Sequence, residues 1–142
     1  MGDSPLPIIL LLVVIALIGI ALLVIIFLTH GTAKKLDQAQ YRAAWLDIEN
    51  NLDKNNAATY QFAIMSADKL LDRALKELGY KGNTMAERLK SASGEIKNQK
   101  AVWAAHRIRN KIVHEVDTRI DLKVSKQMLD IYKTALKAVG AI

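Results

Sequence analysis

Three residues in the last third of this chain have the types and spacing for chemistry on a phosphodiester: Arg109, Asn110 and His114. On a helix turning about 100° per residue, Val102, Ala105, Ile112, Val113 and Val116 share one arc, and Arg109 falls inside it. A guanidinium stays charged and is rarely buried alone. Its placement therefore demands either a buried carboxylate or an interface that receives it. Beside that arc runs a second row, Trp103, His106 or Arg107, Asn110 and His114, at the steps of three and four that stack side chains on a helix. Arg109, Asn110 and His114 are thus expected as neighbours at the edge of a core face. Arginine can grip a phosphate through two nitrogens, and an imidazole titrating near neutrality can move a proton to or from a hydroxyl.

The same residues admit a plainer reading. Arg109 would be a structural cation paired with Asp68 or Asp72 of an earlier helix, and His114 a helix-terminal histidine beside Glu115. Other chemistries are narrowed by composition. The chain has no cysteine, which removes disulfides, thiolate metal sites and cysteine nucleophiles. His30, His106 and His114 are not spaced as metal ligands beside a carboxylate cluster, so neither a metal nor a cofactor is expected. No glycine-rich phosphate cradle is present.

The elements that must position these residues read as helices throughout, and no proline follows Pro7. A first soluble helix is expected from Ala33 to Leu52, burying Leu36, Ala39, Ala43, Leu46 and Trp45. A polar, asparagine-rich break follows. The second helix, from Ala57 to Leu78, carries an apolar stripe of Tyr60, Ala63, Ile64, Ala67, Leu70, Leu71, Ala74, Leu75 and Leu78. Gly79 is then the residue past its end. Thr84 and Glu87 have capping-box spacing and open a short helix to about Ala92. A fourth helix is expected from Asn98 to Val116, and a fifth from Leu122 to Val139 with Asp121 as cap. The last buries Met128, Leu129, Tyr132, Ala135, Leu136 and Val139. The fold class is all-α, with these helices forming an up-down bundle of four long helices and a short one.

Ahead of the bundle, residues 8–28 are 21 residues without a charge, long enough for a helix to cross a hydrocarbon core of about 30 Å. A cleavable signal peptide fits less well: no basic residue precedes the run, and the run is long for that role. The first 33 residues hold a single charge, Asp3, so the rest of the chain carries all 20 basic residues and 13 of the 14 acids, an excess of +7. Lys34 and Lys35 directly follow the span, which predicts that the N-terminus lies outside and the C-terminal part in the cytoplasm. The expected organisation is an extracytoplasmic tail (1–7), a transmembrane helix (8–28) in the cell membrane, and a cytoplasmic helical domain (33–142). The positive excess favours anionic partners, RNA or lipid headgroups.

The segment Arg109-Asn110-Lys111-Ile112-Val113-His114 resembles the R-N-x-x-x-H form of the motif of the HEPN superfamily, and Val102 to Glu115 around it is similar to the corresponding helix. Ala67 to Asp72, Gly79 to Met85, and Ile131-Tyr132 with Ala135-Leu136 extend the likeness over about Tyr41 to Val139. The resemblance implies an antiparallel, HEPN-like bundle that forms homodimers or higher homo-oligomers, bringing two motifs together. It further implies a metal-independent endoribonuclease, in which Arg109 holds the phosphate, His114 is the acid/base and Asn110 orients them. Arg107 and Lys111 are the expected RNA-binding cations. The alternative is a non-catalytic, membrane-tethered scaffold that self-associates through its bundle. An anchored nuclease would also need a restraining partner, and none is visible in the sequence.

Overall fold

The chain begins with α1 (Leu6–Thr29), whose residues 6–25 are all exposed and uncharged. At about 1.5 Å per residue its 24 residues extend roughly 36 Å, enough to cross a membrane. The structure, a computed structural model, describes residues 6–29, 35–115 and 117–142. Residues 1–5 of the expected tail, the expected helix start at Ala33, Lys34 and Val116 lie outside those described. The apolar helix and the residues from Lys35 onward form separate units.

In the second unit every regular element described is a helix: α2 (Gln38–Asn50), α3 (Ala57–Glu77), α4 (Met85–Ser91), α5 (Gln99–His114) and α6 (Leu122–Ala138). The start of α2 corrects the expected boundary, because residues 35–37 are not helical. Asp37 caps it instead, its carboxylate accepting the Gln40 backbone N–H at 3.2 Å. The inner face is corrected in part, with Trp45 buried as expected. Tyr41, Trp45 and Ile48 are buried on α2, while Ala39 and Ala43 are exposed and Leu46 is 55% exposed. Two large aromatic rings gain far more by burial than two methyl groups, so they claim the core side. Leu36 is buried as expected, from just ahead of the helix.

Helix α3 matches its expected stripe, buried from Tyr60 to Leu75 with Leu78 half-buried. It packs against α2, α4, α5 and α6. Its end is closed by Gly79 at φ +85°, with the Gly79 N–H on the Lys76 carbonyl and the Tyr80 N–H on the Leu75 carbonyl at 3.0 Å each. Those two bonds satisfy carbonyls that the helix end leaves open. The Thr84 hydroxyl caps α4 at the Glu87 N–H, 3.2 Å away. Glu87 reaches back one residue beyond the expected cap, accepting the Asn83 N–H at 2.6 Å.

Side-chain links fix the helix directions. The Gln61 amide donates to the Thr118 carbonyl and Asp68 meets His106, so α3 and α5 run antiparallel. Ser125 donates to the Tyr60 carbonyl and Tyr132 to Asp68, so α3 and α6 run parallel. At the far end, the Gln38 amide donates to the Gly140 carbonyl at 3.0 Å. The long helices thus alternate in direction along the chain. On α5 the expected arc holds at Val102 and Ala105, which are buried, and weakens toward the C-terminus. Ile112 is half-buried and Val113 is 47% exposed. Val113 lies in the last turn, past the last buried side chain of that helix, His106.

Candidate functional site

The site is organised by an acid in an apolar stripe. Asp68 sits among Ile64, Ala67 and Leu71 on α3 and is only 3% exposed. A buried carboxylate is costly unless donors surround it, and three side chains supply that. Tyr132 of α6 donates its hydroxyl to Oδ1 at 2.9 Å. His106 of α5 places Nδ1 2.8 Å from the same oxygen. Arg109 Nε stands 3.4 Å from Oδ2, at ion-pair distance though without hydrogen-bond geometry. Burial, and then the charge of Asp68, push the Tyr132 hydroxyl far above the ordinary tyrosine range; it therefore stays protonated and donates. Facing a carboxylate, His106 Nδ1 is the protonated nitrogen, which leaves Nε2 as the acceptor of the neutral ring.

A buried cation braces the rim. Arg88 of α4 grips Asp72 through two bonds of 2.7 and 2.9 Å and donates to the Gly82 carbonyl at 2.6 Å. Gly82 has φ +148°, and a Cβ there would lie 2.6 Å from Glu87 Cβ and 2.7 Å from the Arg88 nitrogen. Only glycine permits this close passage. Between α3, α4 and α5 lies a groove of about 610 Å³, lined by Asp68, His106, Arg109, Asn110, Arg88 and Thr84 among others. A somewhat larger cleft of about 660 Å³ runs between the start of α5 and the end of α6. None of the expected site residues lines it, so size is a poor guide here.

The expected site residues divide. Arg109 and Asn110 meet in the groove, where Arg109 donates to Asn110 Oδ1 at 3.0 Å. Arg109 is half-buried, its side chain 34% exposed. Of the two carboxylates expected for it, Asp68 is the partner, and Asp72 is taken by Arg88. His114 does not join them. It is the last residue of α5, is exposed, and does not line the groove. Five residues separate it from Arg109, about 140° of helix rotation. Arg107 and Lys111 are exposed one turn apart, and among the described residues neither makes an ion pair. No three His, Cys, Asp or Glu side chains among the described residues converge as a metal site requires.

Two members of the network, His106 as the partner of Asp68 and Tyr132 as its donor, were not legible as site residues. Asp68 was the available signal. An acid occupying a stripe position of α3 must be met by donors, and Tyr132 on the inner face of α6 and His106 one turn before Arg109 were within reach. No protein-family model matches the chain, and no curated protein or solved structure does.

Proposed function

We propose that this chain is a membrane-anchored, HEPN-like protein that binds RNA at the cytoplasmic membrane face and cuts it without a metal ion. The observation carrying this reading is Arg109, a guanidinium held in an open groove by Asp68 and Asn110 rather than sealed in the core. Its hold on Asp68 uses Nε, and its bond to Asn110 uses one terminal nitrogen, so donors remain for a phosphate. Arg107, Lys111 and His114 form a separate exposed basic row on α5, about 140–160° around the helix from Arg109. The +7 excess beyond the apolar helix supplies a long-range pull on a polyanion. Because His114 stands away from Arg109 in one chain, its participation requires a second copy in a homodimer. The apolar α1 is read as the anchor, N-terminus out.

The test is incubation of the full chain, in detergent micelles with a chelator, with single-stranded RNA. Cleavage leaving 2′,3′-cyclic phosphate ends, abolished by Arg109→Ala in a folded protein, is expected. Intact RNA, with binding no tighter than to a neutral polymer, would overturn the reading.

A second reading is a self-associating scaffold at the membrane. What favours it is apolar exposure on the helical domain: Leu46 at 55%, Phe62 at 60% and Val113 at 47%. It predicts stable oligomers and no cleavage.

A further inference from the structure

We propose that His106 is the proton acceptor of a phosphodiester site contained within a single chain. This rests on the RNA-cleaving reading and assigns its acid/base role to a residue outside the R-N-x-x-x-H segment. The basis is the Asp68–His106 pair at 2.8 Å, on the wall of the same groove as Arg109 and Asn110. His106 and Arg109 are three residues apart on α5 and so lie on one face, one turn from each other.

The imidazole is held from both sides. Asp68 takes Nδ1 and is itself fixed by Tyr132 and Arg109. The edge of Trp103 meets the ring at 81°, with centroids 6.3 Å apart. Orientation through Nδ1 leaves Nε2 as the free basic nitrogen, and a carboxylate behind the ring stabilises the imidazolium formed when it accepts a proton. His114 has no such support, being exposed and without a hydrogen bond or ion pair from its ring among the described residues. The charged and titratable groups around His106 are Asp68, Lys69 and Asp72 of α3, Arg88 of α4, Arg109 of α5 and Tyr132 of α6.

In the reaction, Arg109 and the amide nitrogen of Asn110 hold the phosphate oxygens. The neighbouring ribose 2′-hydroxyl gives its proton to His106 Nε2, and its oxygen forms a bond to phosphorus. The bond from phosphorus to the 5′-oxygen breaks, and its electron pair stays on that oxygen, which takes a proton from water. The imidazolium proton then neutralises the hydroxide left behind. The products are a 2′,3′-cyclic phosphate and a 5′-hydroxyl, with His106 again neutral.

The test uses the full chain in detergent micelles and an oligodeoxynucleotide carrying one ribonucleotide, so that a single 2′-hydroxyl is read. His106→Asn keeps an amide donor toward Asp68 and removes Nε2. Expected is a fall in kcat of about 10²–10⁴-fold, with KM held within a small factor and the acidic limb of the pH–rate profile lost. A wild-type kcat and pH profile in His106→Asn, with loss of cutting in His114→Ala, would leave RNA cleavage standing and overturn the assignment of His106. No cutting by the wild-type chain would overturn both. If His106→Asn does not fold, the wild-type chain still decides. Its histidine ring resonances are followed while the all-deoxy oligonucleotide is added, and the His106 signal is expected to move. A shift confined to the other histidines would overturn the assignment.

Discussion

Asp68 and His106, 38 residues apart in sequence, are joined at 2.8 Å on the floor of a groove, and the same carboxylate oxygen receives the Tyr132 hydroxyl. Three helices are therefore held through one side chain.

Removing that side chain strands its partners. Asp68→Ala leaves His106 and Tyr132 without their acceptor and Arg109 without its ion-pair partner, and a broken buried pair costs about 3–5 kcal/mol. Tyr132→Phe removes one hydrogen bond to a charged group, about 1.5–3 kcal/mol, and leaves Asp68 its other partners. Urea unfolding of the full chain in micelles, followed by circular dichroism, should rank wild type above Tyr132→Phe and that above Asp68→Ala. The reverse order would show that Tyr132, rather than Asp68, is the centre of the network.

Gly82→Ala should destabilise by about 1–3 kcal/mol through backbone strain and steric conflict, since the added carbon meets Glu87 Cβ at 2.6 Å and backbone at 2.7 Å. The Arg88 bond to the Gly82 carbonyl would be disturbed with it. Thermal melting reads the loss; an unchanged midpoint would mean that the α3–α4 connection relaxes freely.

Alkaline pH should unfold the domain through its buried tyrosines. Burial, then the Glu77 carboxylate, push Tyr41 up to about 12, and Tyr132 is pushed higher still. Both folded-state values lie above the unfolded value near 10. Their stabilising contribution is therefore complete below pH 10 and is lost as pH rises above it, in the case of Tyr41 up to about 12. Ultraviolet titration should show these tyrosines ionising only together with the loss of helix. Ionisation of all four tyrosines near pH 10, with the helices intact, would contradict this.

RNA binding should be steeply salt-dependent. Replacing Arg107 and Lys111 by Gln should lower the slope of log affinity against log salt by about 0.7 for each phosphate of a single strand that is no longer neutralised. Filter binding over a salt series measures it, and an unchanged slope would remove these two residues from the interface.

The absence of cysteine makes topology directly measurable. Ser4→Cys should react with a membrane-impermeant maleimide on intact cells, and Ser93→Cys only after permeabilisation. The opposite pattern would reverse the orientation, and failure of both to sediment with membranes would remove the anchor.

Much of the helical plan was legible because periodicity and caps are local. Asp121, Thr84 and Gly79 mark their helix ends as expected, and the stripe of α3 is buried along its length. The face of α2 was legible only at Trp45, since a helix wheel cannot decide whether Ala39 and Ala43 or Tyr41 and Ile48 join it in the core until the depth of the neighbouring helices is known. The site was half legible for the same reason. Arg109 in an apolar arc announced a partner, and Asp68 was one of two named. The role of His106 depended on α3, α5 and α6 meeting, which no spacing within one helix encodes.

The Gln38 amide on the Gly140 carbonyl brings the beginning and end of the helical domain together at 3.0 Å. In its covalent order, then, the domain is nearly a closed ring with one short gap. Domains whose ends adjoin tolerate re-cutting of the chain. An apolar segment fused after Ile142 would leave the domain from the same end as one preceding Lys35. Which terminus an apolar segment is joined to is thus a matter of gene order, and the helical domain itself is indifferent to it.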